Sequence, residues 1–559
     1  MHPSIAARRA WLLLFIAISA FYLWGLGAFP FVGPDEPRYA QVAREMFERR
    51  DFITPTLGGI PWFEKPPLLY WIMILSYRVL GVTEYAARLG PALCGLITAF
   101  FVYWTGRAVE DRFETSMNVE PGATARWSAL VFLSSLGTIG FSRAASFDIV
   151  LTMTVAGAFA FFLNYLVRTN IDGAGFSKGP PRHRDTGLLV GFYLFVGLSA
   201  LAKGLIGLVI VFGVIALYYL ARRELPRRGL MTSLVWGLPF SLVVAGVWFV
   251  PMIARHGWTF IDQFIIQHHF ARFVSNKYHH PGPIYFYPPV VVGLAVPWSI
   301  ALGAAVISVR HWAWRGQNAV DRLRVFALVW LILPIVFFSF SGSKLIAYVL
   351  PVLPAIALLV GERISCALGM ERGRLLVRLT GVTLIGLAAA VYWYSHGHYD
   401  LNTLCLIVGA APPAIVGAAA LIRPQLRRPL FALIAVAFIA SSIVVLKCAA
   451  PVVARTESVR DLLSTAAARG YSTTPIVQLH TIERTAEFYA SGRLTYKADG
   501  DPVKFEGVFQ VVDAARRNNG VILCIVPLQY ESQLTLFNGA RVEVIADNGR
   551  VALLAVRPN

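Results

Sequence analysis

WLLLFIAISAFYLWGLGAFPFVGPDEPRYAQ, residues 11–41, holds two opposite textures side by side. Residues 11–28 carry no formally charged side chain, and as a helix they reach most of the way across ~30 Å of hydrocarbon. Asp35, Glu36 and Arg38 follow within a few residues, just after a Gly-Pro turn. A membrane helix that ends in two carboxylates and a guanidinium raises the question of what those charges serve.

The same apolar texture recurs. With 57% hydrophobic and only 14% charged residues, the chain would need short periodic runs to be a soluble protein. Instead, apolar stretches of about 17–23 residues continue to about residue 450, the mark of a polytopic α-helical membrane protein. The expected spans are about 11–28, 87–106, 127–142, 147–167, 187–202, 204–221, 231–253, 285–309, 325–340, 345–361, 379–394, 403–422 and 429–449, about 13 in all. The N-terminal span has a basic flank but no small-residue cleavage site before GPDEP, so it reads as a retained helix.

The net charge of +19 does not point to nucleic acid, because of where the arginines lie. Arg8 and Arg9, then Arg222, Arg223, Arg227 and Arg228, then Arg310, Arg315, Arg322 and Arg324, then Arg372, Arg374 and Arg378, and finally Arg423, Arg427 and Arg428 fall on one side of alternating spans. This is the positive-inside pattern, with at most a weak attraction to anionic membrane lipids. It places the N-terminus inside, and the 29–86 loop, the 254–284 loop and the C-terminal segment outside.

Within 29–86, PRYAQVAREMFERR sets Tyr39, Val42, Met46 and Phe47 on one helical face, which predicts an amphipathic helix on the outer membrane surface. PPLLYWIMILSYRVLG is apolar for too short a distance to span and reads as in-plane or re-entrant. Residues 1–450 thus form the transmembrane domain. From 451 to 559 the texture changes to alternating helices and strands, with VILCIVP as a strand and RVEVIAD and RVALLAV as a terminal pair, which predicts a small α/β domain. No glycine fingerprint marks it as a nucleotide site. The cysteines show no C-x-x-C spacing.

Cations on the disfavoured side carry the functional signal. Arg143, Lys203 and Lys344 each stand almost alone in a short external turn, and Arg38 and Lys65 lie in the first external loop. Singly, each could snorkel to the interface; together they suggest one external anion, with phosphate the natural candidate. Asp35 and Glu36 could simply be first-turn carboxylates of the surface helix. Asp148 opens an apolar span, where an ionisable group is a functional hypothesis by default. His268 and His269 with Glu64 could hold a divalent metal such as zinc, although paired interfacial histidines also serve as anchors. The DGD at 499–501 reads as a turn.

The strings PDEPRYAQVAREM, GGIPWFEKPPLLYW, FSFSGSKLIAYVLPVLPA and QHHFARF together resemble the bacterial polyprenyl-phosphate-dependent sugar transferases of the GT-C fold. They most resemble the 4-amino-4-deoxy-L-arabinose transferases of lipid A. The resemblance implies an undecaprenyl-phosphate-linked aminoarabinose donor, a lipid A phosphate acceptor and a site at the periplasmic face of the bacterial inner membrane. It implies no required cofactor. By motif, Asp35 is the first-loop acid, Asp148 a second acid, and Arg38, Lys65, Lys344 and Tyr348 donor-phosphate ligands; Lys203 and Arg143 join the donor-phosphate candidates by their position as lone external cations. Lys344 and Tyr348, four apart, are expected on one helix face. A protein mannosyltransferase of the same fold is the nearest alternative, and a lipid-linked sugar flippase a more distant one. A flippase predicts internal repeats and mid-span charges, whereas the candidate residues cluster at helix ends.

Overall fold

The structure is a computed structural model that describes residues 5–110, 120–171, 183–271, 282–369, 373–398, 401–497, 500–518 and 520–559. Ten helices in chain order are α1 (Ile5–Leu23), α2 (Asp35–Arg49), α3 (Leu68–Leu80), α4 (Glu84–Glu110), α5 (Ala123–Leu133), α6 (Leu136–Ser142), α7 (Phe147–Ile171), α8 (His183–Lys203), α9 (Leu205–Arg222) and α10 (Arg228–Phe260). Further helices follow to residue 457, before the C-terminal domain. Among the described residues eleven helices are long and apolar enough to cross a membrane, or twelve if the pair Tyr287–Leu294 and Ser299–His311, bent by 120°, is one span. The α3 helix, at 13 residues, falls short of that length.

The count differs from thirteen at 127–142, where the chain breaks at Ser134–Ser135 between α5 and α6. A broken helix exposes main-chain polar groups that lipid cannot satisfy. Here the stretch between the bent pair satisfies one of them, Leu136 N donating to Val296 O at 2.8 Å, and a side-chain bond joins the same place, Trp298 Nε1 donating to Ser134 Oγ at 3.0 Å. The two irregular stretches therefore occur together for one reason.

The chain packs as two compact units, one of Met1–Trp24, Glu64–Leu69 and Pro91–Val444, the other of Gly25–Phe63, Tyr70–Gly90 and Val445–Asn559. In the first, α7 and α8 form an antiparallel hairpin set by small residues. A Cβ on Gly157 would lie 2.4 Å from the Phe195 ring, and one on Gly191 would lie 2.3 Å from the Phe161 ring. Each glycine thus seats an aromatic of the facing helix, which lets the backbones approach closely. That register brings the first turn of α7 and the last turn of α8 to the same end.

In the second unit, strands β1 (Thr56–Leu57) and β2 (Ile60–Pro61) make a short hairpin, and β3 (Ile476–Leu479), β4 (Lys504–Phe505), β5 (Ile522–Pro527), β6 (Ala540–Asp547) and β7 (Val551–Pro558) form a five-stranded sheet in the order β4-β3-β5-β7-β6. β3 runs parallel to β4 and β5, and β7 antiparallel to β5 and β6. Leu523, Ile525, Leu553 and Ala555 face the helix Arg460–Ala468, while Ile522, Cys524, Val526, Ala552 and Leu554 face the helix Val508–Arg517. Both faces are covered, which is why VILCIVP reads as an unbroken apolar run. In the β1–β2 turn Gly58 has φ +62°, and a Cβ there would fall 2.1 Å from the Tyr496 ring. Gly58→Ala is expected to destabilise the protein by about 1–3 kcal/mol through strain and overpacking, read as a lower midpoint of thermal unfolding in detergent.

Candidate active site

In the second unit, α2 begins on Pro34 with Asp35 and Glu36 in its first turn and ends where Arg50 turns left-handed at φ 55°. Its apolar positions Tyr39, Ala40, Val42, Ala43 and Met46 are buried. Tyr77 Oη of α3 donates to Ala40 O at 3.2 Å, and the Arg44 guanidinium sits 4.4 Å over the Phe488 ring and donates to Phe488 O at 3.0 Å. The expected amphipathic helix is there, but protein packs against it from two directions, so it is more than a helix resting on lipid.

Neighbouring carboxylates on α2 have opposite environments. Asp35 is exposed and makes no hydrogen bond or ion pair with a described residue. Glu36 is buried and takes both prongs of Arg88, Nε to Oε1 at 2.9 Å and Nη2 to Oε2 at 2.8 Å. Arg88 is fully buried and also donates to the carbonyls of Leu26, Phe29 and Pro30. Glu36 is therefore the acid of a buried bidentate pair that fastens the 26–30 turn to α4. It is not a helix cap.

Arg38 lies one turn beyond Asp35. Its side chain is only 13% exposed, yet its terminal nitrogens donate to no described residue. Its guanidinium packs 5.2 Å from the Trp62 ring, and its Nε lies 3.6 Å from Oε2 of Glu487. Glu487 is buried in the helix Thr485–Tyr489; its Oε1 accepts from Arg484 Nη1 at 2.8 Å, and Arg484 Nη2 donates to Asp501 at 2.8 Å. Burial pushes the Glu487 carboxyl above the usual carboxylate range, and Arg38 and Arg484 pull it partly back. An arginine that is mostly buried with its terminal donors unused is arranged to receive an anion.

In the first unit, the α7–α8 hairpin brings Asp148 and Lys203 together as an ion pair. Each stands at the helix end that suits its charge, the acid at an N-terminus and the lysine at a C-terminus. Lys203 Nζ also lies 4.9 Å from the centroid of Tyr348. These three residues form one cluster. Lys344 precedes Tyr348 by four residues, but the helix Ile346–Val352 starts after it, because Leu345 is extended at φ −125° and ψ 143°. The expected shared helix face is therefore absent; half-buried Lys344 sits in the loop and donates to Ser341 O at 2.7 Å.

Arg143 has a different task from the one its position suggested. It is 5% exposed, and its Nη1 and Nη2 donate to the carbonyls of Phe21 and Trp24 at 2.5 and 2.7 Å. Those are the orphan acceptors at the end of α1, so Arg143 caps that helix. Glu64 and Lys65 are half-buried in the segment that follows Trp62. No group of three or more His, Cys, Asp or Glu residues that could hold a metal comes together among the described residues. His268 is half-buried in the π-helical stretch Ile261–Ala271, whereas the side chain of His269 lies outside the described residues. Asp499 of the DGD string also lies outside them, and Gly500 turns at φ +86°.

Sequence reasoning overlooked Trp62, Arg88, Arg484 and Glu487. Trp62 stands within the GGIPWFEKP string, and Arg88 is the lone charge opening an otherwise apolar run. Glu487 left no signal, because an acid in a short soluble helix is ordinary.

Residues 9–267 match the family model described as dolichyl-phosphate-mannose-protein mannosyltransferase. The undecaprenyl phosphate-alpha-4-amino-4-deoxy-L-arabinose arabinosyl transferase of Pseudomonas aeruginosa (strain UCBPP-PA14) is 30% identical over 424 residues, which cover 73% of this chain and 70% of that one. The enzyme of the same name from Aeromonas salmonicida is 28% identical over 340 residues, 61% of this chain and 57% of its own length. The match thus spans less than two thirds of the Aeromonas protein. The crystal structure of ArnT from Cupriavidus metallidurans bound to undecaprenyl phosphate superposes with a TM-score of 0.77 at 22% identity, covering 98% of each chain. That likeness establishes the GT-C architecture, and the identity and coverage shared with the Pseudomonas protein go further: the chain belongs to the undecaprenyl phosphate-alpha-4-amino-4-deoxy-L-arabinose arabinosyl transferase family.

Proposed function

We propose that the protein transfers 4-amino-4-deoxy-L-arabinose from undecaprenyl phosphate to a lipid A phosphate at the periplasmic face of the inner membrane. The added amine would lower the negative charge of lipid A and so protect against polymyxin and other cationic peptides. The observation that carries this reading is Arg38, mostly buried with its terminal donors open, one helical turn from exposed Asp35. The arginine-rich loops support a cytoplasmic N-terminus, with the site and the C-terminal domain on the periplasmic side.

The chemistry is a single inverting displacement. An oxygen of the lipid A phosphate bonds to the anomeric carbon from one face as the bond to the undecaprenyl phosphate oxygen breaks on the other. The leaving lipid gains one unit of negative charge as it changes from diester to monoester. Arg38 in the second unit, and Lys65, Lys203, Lys344 and Tyr348 in the first, are each candidates for holding the donor phosphate and the charge that grows on it; preorganised cations act most strongly in a water-poor site. The acceptor is already an anion at neutral pH, so no proton must leave it. Asp35 then pairs with the ammonium of the sugar and orients it, and Asp148 holds the Lys203 ammonium in place through their ion pair. No cofactor is needed, because the phosphate is already a good leaving group.

Lys344→Ala is expected to raise the donor KM by about 3- to 10-fold with a smaller change in kcat, measured with purified enzyme. An unchanged donor KM removes Lys344 from the site. A second reading, transfer to protein, is favoured by the match of residues 9–267 to the mannosyltransferase model. Mass spectrometry of lipid A from cells with and without the protein decides between them. An aminopentose mass that depends on the protein supports the proposal; unmodified lipid A together with transfer to a peptide acceptor supports the second reading.

A further inference from the structure

We propose that Glu487, in the C-terminal domain, is a positioning residue for Arg38: it holds the guanidinium from the Nε side so that both terminal nitrogens stay directed at the donor phosphate. This rests on the assignment of Arg38 to that phosphate.

The geometry differs from that of an ordinary structural ion pair. A carboxylate that merely neutralises an arginine usually takes two of its N–H groups at about 2.7–2.9 Å, as Glu36 does with Arg88. Glu487 Oε2 instead stands 3.6 Å from Arg38 Nε, and neither atom makes a hydrogen bond. Its other oxygen is held by Arg484, which is itself held by Asp501. Glu487 therefore cannot swing toward Arg38 without releasing Arg484. The Trp62 ring fixes the guanidinium by a second contact, 5.2 Å away. The pair is screened little by water, since Glu487 is 0% exposed at its side chain. Arg44 secures the distance between α2 and the helix Thr485–Tyr489, donating to Phe488 O and to Ser491 Oγ. The C-terminal domain thereby supplies part of the donor site's support rather than a separate binding module.

Titration gives a readout that a purely structural acid would not move. The charged and titratable groups facing Glu487 are Arg38 on α2, Arg484 on its own helix, and Asp501 and Tyr496 from the following segment. Burial raises its carboxyl, so protonation as pH falls begins above the usual carboxylate range. Once neutral, it no longer holds Arg38, and the donor KM rises on the acid side.

The experiment is a double-substitution cycle on the full-length enzyme in detergent, using undecaprenyl-phosphate-linked aminoarabinose and lipid A. Arg38→Ala is expected to raise the donor KM by about tenfold or more, and Glu487→Gln by about tenfold with kcat changed less than about threefold and the acceptor KM unchanged. The double variant should be no worse than Arg38→Ala alone, and Glu487→Gln should abolish the acid-side rise in donor KM. If the two effects multiply, Glu487 acts elsewhere and the proposal is overturned while Arg38 keeps its role. If Arg38→Ala leaves the donor KM unchanged, the assignment of Arg38 fails and the proposal fails with it. Should Glu487→Gln not fold, Glu487→Asp retains the charge but withdraws it by one methylene; an intermediate rise in KM supports the proposal and an unchanged KM overturns it.

Discussion

Asp35→Asn is expected to lower kcat by at least about a hundredfold while the donor KM moves less than about threefold and the thermal midpoint stays within a degree or two. Stability should be spared because Asp35 is exposed and bonds to no described residue, so its removal leaves nothing buried and unpaired. Turnover should suffer because this carboxylate stands one turn from Arg38, where the sugar of a phosphate-bound donor would lie. The kind of loss separates two roles. If Asp35 pairs with the sugar's ammonium, the penalty shrinks when the donor carries a neutral arabinose. If it removes a proton from the acceptor, the penalty is the same for both donors. A phosphate acceptor, as proposed, predicts the first result, and near-normal turnover of Asp35→Asn with the aminoarabinose donor would remove the residue from the mechanism.

Much of this was legible because hydrophobic length and lone charges are local signals. The spans, the alternating C-terminal segment and the amphipathic helix from Asp35 can all be read from windows of a few residues to about twenty. The broken span at Ser134–Ser135 could not, since its bonding partners there, Val296 and Trp298, lie more than 150 residues away in sequence. The same limit applied to individual side chains. Arg143, Lys203 and Lys344 look alike as isolated cations in external turns, yet Arg143 caps α1, Lys203 pairs with Asp148, and Lys344 rests on a loop carbonyl. Only the fold distinguishes a cation engaged by main chain from one held by a carboxylate. Lys344 and Tyr348 show the converse error: a spacing of four implies a shared face only where the segment is helical, and here the helix begins between them.

Glu36 and Arg88 should behave in the opposite way to Asp35, although Glu36 is its neighbour in the chain. Arg88→Met is expected to cost about 3–5 kcal/mol, because it strands a carboxylate at a site only 8% exposed and frees the carbonyls of Leu26, Phe29 and Pro30. Glu36→Gln should cost less, on the order of 2 kcal/mol, since an amide can still accept from one prong of the guanidinium. Pairing the two changes as Glu36→Leu with Arg88→Met should recover part of the loss, because the stranded charge is gone, but not all of it, because the three carbonyls are still left without Arg88. Thermal unfolding of the four purified proteins measures this directly, and equal midpoints for Arg88→Met and wild type would show that the pair does not hold the 26–30 turn. Activity per folded molecule supplies the contrast. Glu36→Gln should retain kcat within about threefold, since its carboxylate faces Arg88 and not the open side of α2. A lowered midpoint with preserved turnover at Glu36, against a preserved midpoint with lost turnover at Asp35, would assign the two adjacent acids to scaffold and chemistry respectively.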